Sequence, residues 1–245
     1  MFNVPYLLLD GEAGSGKSHL FGDAINCIGD AKPDSLLLLG QHFTVNATPQ
    51  IQILQQLDLN CTFDEFMESL TCRAISNNNR IILFIDALNE GSGKKLWTNF
   101  LSGFIAGLAA YKWIGLALSV RTSYLELFTN ALGVEYSRMV RATHFGFAEF
   151  EFNAMKIFFQ YYGIELPRIP NFHIEFRNPL FLKLFCQGLR SEGLTSVPDG
   201  LDGIARIFDF YINSINKKLS SATEYDYIPE LNIVKAILHK LVNEK

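Results

Sequence analysis

Cysteine is scarce in this sequence: Cys27, Cys61, Cys72 and Cys186 are the four among 245 residues, with no C-x-x-C spacing and no histidine cluster beside them. That excludes a disulfide framework, leaves no structural metal site to expect, and predicts reduced, mostly buried thiols in a cytoplasmic protein. A basic block is lacking as well. Lys and Arg number 21 against 25 Asp and Glu, a net charge of −4, so no face is expected to track a phosphate backbone and nucleic acid is not an expected partner. Residues 1–9 carry no basic n-region, so no signal peptide is expected. The most membrane-like stretch, 100–120, is interrupted by Lys112, and the about a dozen uncharged residues before it are too few to span a bilayer. A buried helix followed by a buried strand is predicted there, with no membrane partner. Repeats and low-complexity tracts are also missing.

What is present is apolar material: 49% hydrophobic residues and 21 Phe against 19% charged. A chain of this length can bury a sizeable core as one large domain or two small ones. Its chemistry opens at Gly11-Glu12-Ala13-Gly14-Ser15-Gly16-Lys17-Ser18, between the apolar run Tyr6-Leu7-Leu8-Leu9 and a helical pattern that begins near Lys17 and includes His19. A loop that aims several backbone N–H groups at one anion needs glycines where a Cβ would block the approach. The helix adds the positive end of its dipole, Lys17 can reach β- and γ-phosphates, and the Ser18 hydroxyl can complete a Mg²⁺ shell. The predicted ligand is a nucleoside triphosphate.

Solid apolar runs at 35–39, 81–85 and 113–119 read as parallel strands covered on both faces, with a more polar edge strand at 139–145. Helices are predicted at 17–28 with Gly29 as the stop, at 49–57 after Thr48-Pro49, at 64–74 with Thr62 and Glu65 as a capping box, at 96–110 and at 124–132. The expectation is an α/β domain over residues 1–145, a parallel five-stranded sheet flanked by helices. Residues 146–245 then read as an all-α subdomain. Its helices are marked by Phe150, Ala154, Ile157, Phe158 and Tyr161, then by 179–189, by Ile204, Phe208, Tyr211, Ile215 and Leu219, and by Val234, Ile237, Leu238 and Leu241. Their aromatic stripes are expected to be core. Pro167, Pro170 and the segment 200–203 read as linkers.

The strand at 81–85 ends in Asp86-Ala87-Leu88-Asn89-Glu90. A Mg²⁺ on bound phosphates needs a carboxylate, and ligands gather at the carboxyl ends of such strands, which makes Asp86 the metal-side candidate. Glu90, four residues on, is the candidate general base for a water attacking the γ-phosphate, or else an exposed loop acid beside Gly91-Ser92-Gly93. Arg121, at the end of the next strand, is either a γ-phosphate contact or the partner of a surface acid.

The order of these motifs resembles the STAND class of regulatory P-loop NTPases, NACHT-like in form and ASCE/AAA+-like in fold. Gly11–Ser18, Asp86-Ala87-Leu88-Asn89-Glu90, Ser119-Val120-Arg121 and Asn178-Pro179-Leu180-Phe181-Leu182 carry the likeness. Gly16-Lys17-Ser18-His19-Leu20 and Leu38-Leu39-Gly40-Gln41-His42-Phe43 look closest to the prokaryotic antiviral Avs group. The resemblance implies that Lys17 and Ser18 form the Walker A pair, Asp86 is the Walker B carboxylate, Glu90 the catalytic acid, Arg121 the sensor arginine and Pro179 an adenine contact. It further implies an ATP/ADP switch with slow hydrolysis, a protein trigger, and homo-oligomerisation in the full-length context. Asn89 stands where NACHT proteins often carry an acid, which fits slow turnover. Such proteins carry an effector before and a winged helix after this region. Ten residues precede Gly11 here and the sequence ends shortly after Leu241, so a fragment is expected. Another AAA+-like ATPase, or a nucleotide-binding module without turnover, are the competing readings.

Overall fold

The apolar runs at 81–85 and 113–119 become central strands of one parallel sheet because successive side chains point to opposite faces and both faces are covered. The computed structural model describes residues 5–27, 35–166, 174–197, 209, 211–213, 215–216, 219, 228 and 233–243. It divides into two compact units, 1–145 and 146–245.

In the first unit the strands are β1 (Tyr6–Gly11), β2 (Leu36–Leu39), β3 (Ile81–Asp86), β4 (Ile114–Arg121) and β5 (Met139–His144). Their order is β2-β3-β4-β1-β5, and every pairing is parallel. Around them run α1 (Lys17–Cys27), α2 (Pro49–Gln56), α3 (Phe63–Ser76), α4 (Gly93–Leu108) and α5 (Leu125–Leu132). Leu8, Leu83, Ile85, Leu116, Leu118 and Val120 point into the larger core, which helices α2 to α5 close with Ile53, Met67, Trp97, Phe104 and Phe128. Trp97 packs edge-on against Phe43 and Phe104. The alternate residues Leu9, Phe84 and Ala117 meet Phe21, Ala24 and Ile25 of α1 on the other face. The predicted capping box is formed: Thr62 accepts from the Glu65 amide while the Glu65 carboxylate accepts from the Thr62 amide. The membrane-like stretch resolves into the end of α4 and strand β4, and among the described residues no helix is long and apolar enough to cross a membrane.

Several expectations shift. Helix α4 starts at Gly93, earlier than residue 96, and β4 runs on to Arg121. Strand β2 is not covered on both faces: it lies at the sheet edge, and Leu37 and Leu39 stay exposed. Nor are the three thiols whose burial is described mostly buried. Cys186 is, and burial alone pushes its pKa up to about 12, but Cys61 sits in the loop before α3 and Cys72 on the solvent face of that helix. The proposed stop of α1 at residues 28–29, the linker positions Pro167 and Pro170, the segment 200–203 and much of the helix expected over 204–219 lie outside the described residues; 209, 211–213, 215–216 and 219 are helical.

The second unit contains α6 (Glu151–Tyr162), α7 (Pro179–Ser191) and α8 (Ile233–Asn243). Gly163 ends α6 in the left-handed region, and Asn178 caps α7 by accepting from the Leu180 and Phe181 amides ahead of Pro179 in the first turn. Its core is aromatic: Phe185 stacks on Phe159 at 6.0 Å and meets Phe176 edge-on at 4.9 Å. The buried stripe of α6 is rotated from the expected one. Ala154, Met155 and Phe159 face the core, while Phe150, Ile157 and Tyr161 are exposed, Tyr161 by 82%. With six aromatic residues in 150–162, apolar spacing could not single out one face.

Candidate functional site

The loop after β1 turns through two left-handed glycines, Gly14 (φ 75°) and Gly16 (φ 104°), and delivers the chain into α1 at Lys17. Gly11 is required for a different reason. A Cβ there would lie 2.6 Å from the His144 carbonyl oxygen on the neighbouring β5. Ser15 and Lys17 are buried at the base of the loop, while Glu12, Ala13, Ser18 and His19 are exposed. The Lys17 ammonium donates to the Gly11 carbonyl at 2.7 Å and the Glu12 carbonyl at 2.9 Å, with Ser15 Oγ at 3.5 Å. Burial holds its pKa below the ordinary lysine value, and the Asp86 carboxylate works against that shift.

Asp86 lies at the carboxyl end of β3, separated from β1 by the single strand β4. The Ser119 hydroxyl of β4 donates to Asp86 Oδ1 and accepts from the Ala87 amide at 2.7 Å. The Leu88 amide then donates to the Ser119 carbonyl at 3.0 Å. This stitching holds Ala87 at φ 55°, a conformation non-glycine residues seldom adopt. From the far side, Gly40 presses on the same turn so closely that a Cβ would sit 2.2 Å from the Ala87 carbonyl oxygen.

Arg121 is the register partner of Gly11. Its amide donates to Asn89 Oδ1 at 3.0 Å, and its guanidinium pairs with Glu90 at 2.9 Å, the two side chains being 44% and 37% exposed. The structure therefore brings the loop Gly11–Ser18, Asp86, Glu90 and Arg121 together at the carboxyl ends of β1, β3 and β4. Pro179 belongs to the second unit, in the first turn of α7.

Sequence reasoning missed the supports. Ser119 entered only as part of the arginine motif, although a lone serine in an apolar strand was a visible signal. Asn89, read as a missing acid, is a buried acceptor for the Arg121 amide. Asp10, fully buried, accepts at Oδ2 from Arg141 Nε at 2.7 Å and Thr143 Oγ1 at 3.1 Å. His144, beside Gly11, is held below its ordinary pKa by burial and, next, by the Lys17 charge.

The fold is that of P-loop NTPases. A Walker-type ATPase of Pyrococcus abyssi superposes with a TM-score of 0.54 at 15% identity, over 99% of this chain and 72% of that one. AMPPCP-bound DnaA from Aquifex aeolicus gives 0.46 at 13% identity, over 100% and 84%, and Cdc6p from Pyrobaculum aerophilum 0.45 at 13%, over 88% and 60%. At such identities the likeness is one of fold, and it rests on the first of the three. No family model and no curated protein matches the sequence.

The donors present suit a hard cation. Asp86 and Ser18 offer oxygen ligands, and among the described residues no cluster of three His, Cys, Asp or Glu side chains would hold a metal unaided.

Proposed function

We propose that the first unit binds ATP or ADP with Mg²⁺ and acts as a slowly hydrolysing switch of the STAND type. The observation that carries this reading is the buried lysine at the base of a glycine-rich loop, close enough to Asp86 to be stabilised by its charge. Entering phosphates would take the ammonium from the Gly11 and Glu12 carbonyls and also meet the loop amides and the start of α1. Ser18 and Asp86 would hold Mg²⁺, which neutralises charge between the β- and γ-phosphates when bound. Ser119 keeps the Asp86 carboxylate in place. Arg121 would turn to the γ-phosphate, and Glu90, released from it, would orient and deprotonate the attacking water. In the second unit, Pro179 is assigned to the adenine.

The Arg121–Glu90 pair also favours the second reading, a module that binds nucleotide without turnover, because a carboxylate engaged by a guanidinium is a poor base. A protein trigger, homo-oligomerisation and a role in antiviral defence are implied by the resemblance of the motif order to STAND ATPases, and a cytoplasmic location by the scattered cysteines; all belong to the same proposal.

Melting curves with ATP, ADP or GTP plus Mg²⁺ test binding, since ligand at a hundred times its dissociation constant stabilises by about 2.7 kcal/mol. A Lys17→Ala protein that shifts as the parent does would overturn phosphate binding at this loop. Phosphate release that falls in Glu90→Gln supports hydrolysis; binding without release selects the second reading.

A further inference from the structure

Asp10 plays no part in the chemistry above, yet it is the residue immediately before Gly11 and its side chain is fully buried. Both of its protein partners, Arg141 and Thr143, come from β5. They lie on the same face of that strand, two residues apart, and Thr143 is the register partner of Asp10. The other oxygen, Asp10 Oδ1, is buried without a hydrogen-bond partner, so among the described residues the carboxylate takes its side-chain hydrogen bonds from β5, with the Lys17 charge also favouring it. The dependence is mutual. Strand β5 is an edge strand, its only ladder among the described residues is with β1, and none of its six residues is fully buried. With so little apolar burial, this polar clamp and the ladder fix where β5 sits.

The far end of β5 leads by the backbone into the second unit. Gly146, at φ 67°, has the Arg177 carbonyl and Pro179 Cδ so near that a Cβ would lie 2.3 Å and 3.1 Å from them, and the Phe147 amide donates to the same Arg177 carbonyl at 2.8 Å. The residues that leave β5 are thus fastened to the turn that caps α7.

We infer that Asp10 is a positioning residue which, through Arg141 and Thr143, couples occupancy of the phosphate loop to β5 and so to the start of the second unit. The inference rests on nucleotide binding at the loop and deepens that reading. Rearrangement of Gly11 and Lys17 around phosphates displaces Asp10, and the clamp passes the displacement to β5. The Arg141 guanidinium, whose already high pKa is raised further by the hydrogen bond to this carboxylate and by its charge, stays a cation throughout.

The test is amide hydrogen exchange on the whole chain with and without Mg-ATP, compared between the parent and the variants Arg141→Gln and Thr143→Val, both made on the partly exposed strand. In the parent, nucleotide should slow exchange several-fold in peptides covering 11–20 and in those covering 139–147. In the variants the first response should persist and the second should vanish. A change in stability alone would move exchange equally with and without nucleotide, so the nucleotide-dependent difference isolates coupling. Equal 139–147 responses in parent and variants overturn the clamp, as does a parent that responds only at 11–20. A parent with neither response nor any melting shift overturns the nucleotide reading itself, and the coupling with it.

Discussion

Lys17 and Arg121 are two cations at the carboxyl end of the sheet, held in opposite ways. Lys17 is 9% exposed and is gripped by backbone carbonyls of its own loop. Arg121 is 44% exposed and faces another flexible side chain, Glu90. A buried ammonium fixed by main-chain atoms has its place set by the fold, whereas a half-exposed ion pair can exchange partners at little cost. One side of the site is scaffold and the other is adjustable.

The widest gap between the two sides should come from the backbone beneath Asp86. Gly40→Ala places a Cβ against the Ala87 and Asp86 carbonyls, both main-chain atoms, and we expect a loss of about 3 kcal/mol in denaturant unfolding. A protein as stable as the parent would mean that the turn yields and the scaffold is softer than described. Next in size, Lys17→Ala should abolish the nucleotide-dependent melting shift, forfeiting the about 2.7 kcal/mol available at a hundredfold excess over the dissociation constant.

A smaller effect concerns His144. Because burial and Lys17 depress its pKa in the fold, the unfolded chain binds more protons between that depressed value and its ordinary one. Stability should therefore fall as pH drops through this window, by at most about 1.4 kcal/mol per pH unit, and level off below it. His144→Gln should remove this contribution to the slope, as read from urea unfolding across pH; an unaltered slope would count against it. Smallest of all, a double-mutant cycle on Arg121→Ala and Glu90→Gln should give a coupling of about 0.2–1 kcal/mol in the nucleotide-free protein. A value several times larger would make the pair as rigid as the lysine and erase the contrast.

The central strands were legible because burial on both faces leaves an unbroken apolar run, and Thr62 with Glu65 announced their helix start. The phosphate loop was legible because its chemistry is confined to eight consecutive residues. What escaped was pairing between remote strands. Asp10 and Arg141 are 131 positions apart, and nothing local marks an aspartate at the end of an apolar run as half of a clamp. Gly40 escaped similarly, since its need for a hydrogen in place of a Cβ is set by the turn at Ala87. The exposed face of β2 follows from strand order, which local periodicity does not encode. In α6 the abundance of aromatics hid which side is wet.

The two tryptophans differ in a way that turns the molecule into its own optical gauge. Trp97 is fully enclosed between Phe43 and Phe104, and a Cβ on Gly93, where the loop after Asp86 passes into α4, would lie 3.5 Å from its ring. Trp113 is only partly buried, just before β4. Iodide should therefore quench Trp113 and spare Trp97, whose blue-shifted emission then reports, in unlabelled protein, whether the turn that follows Asp86 has moved.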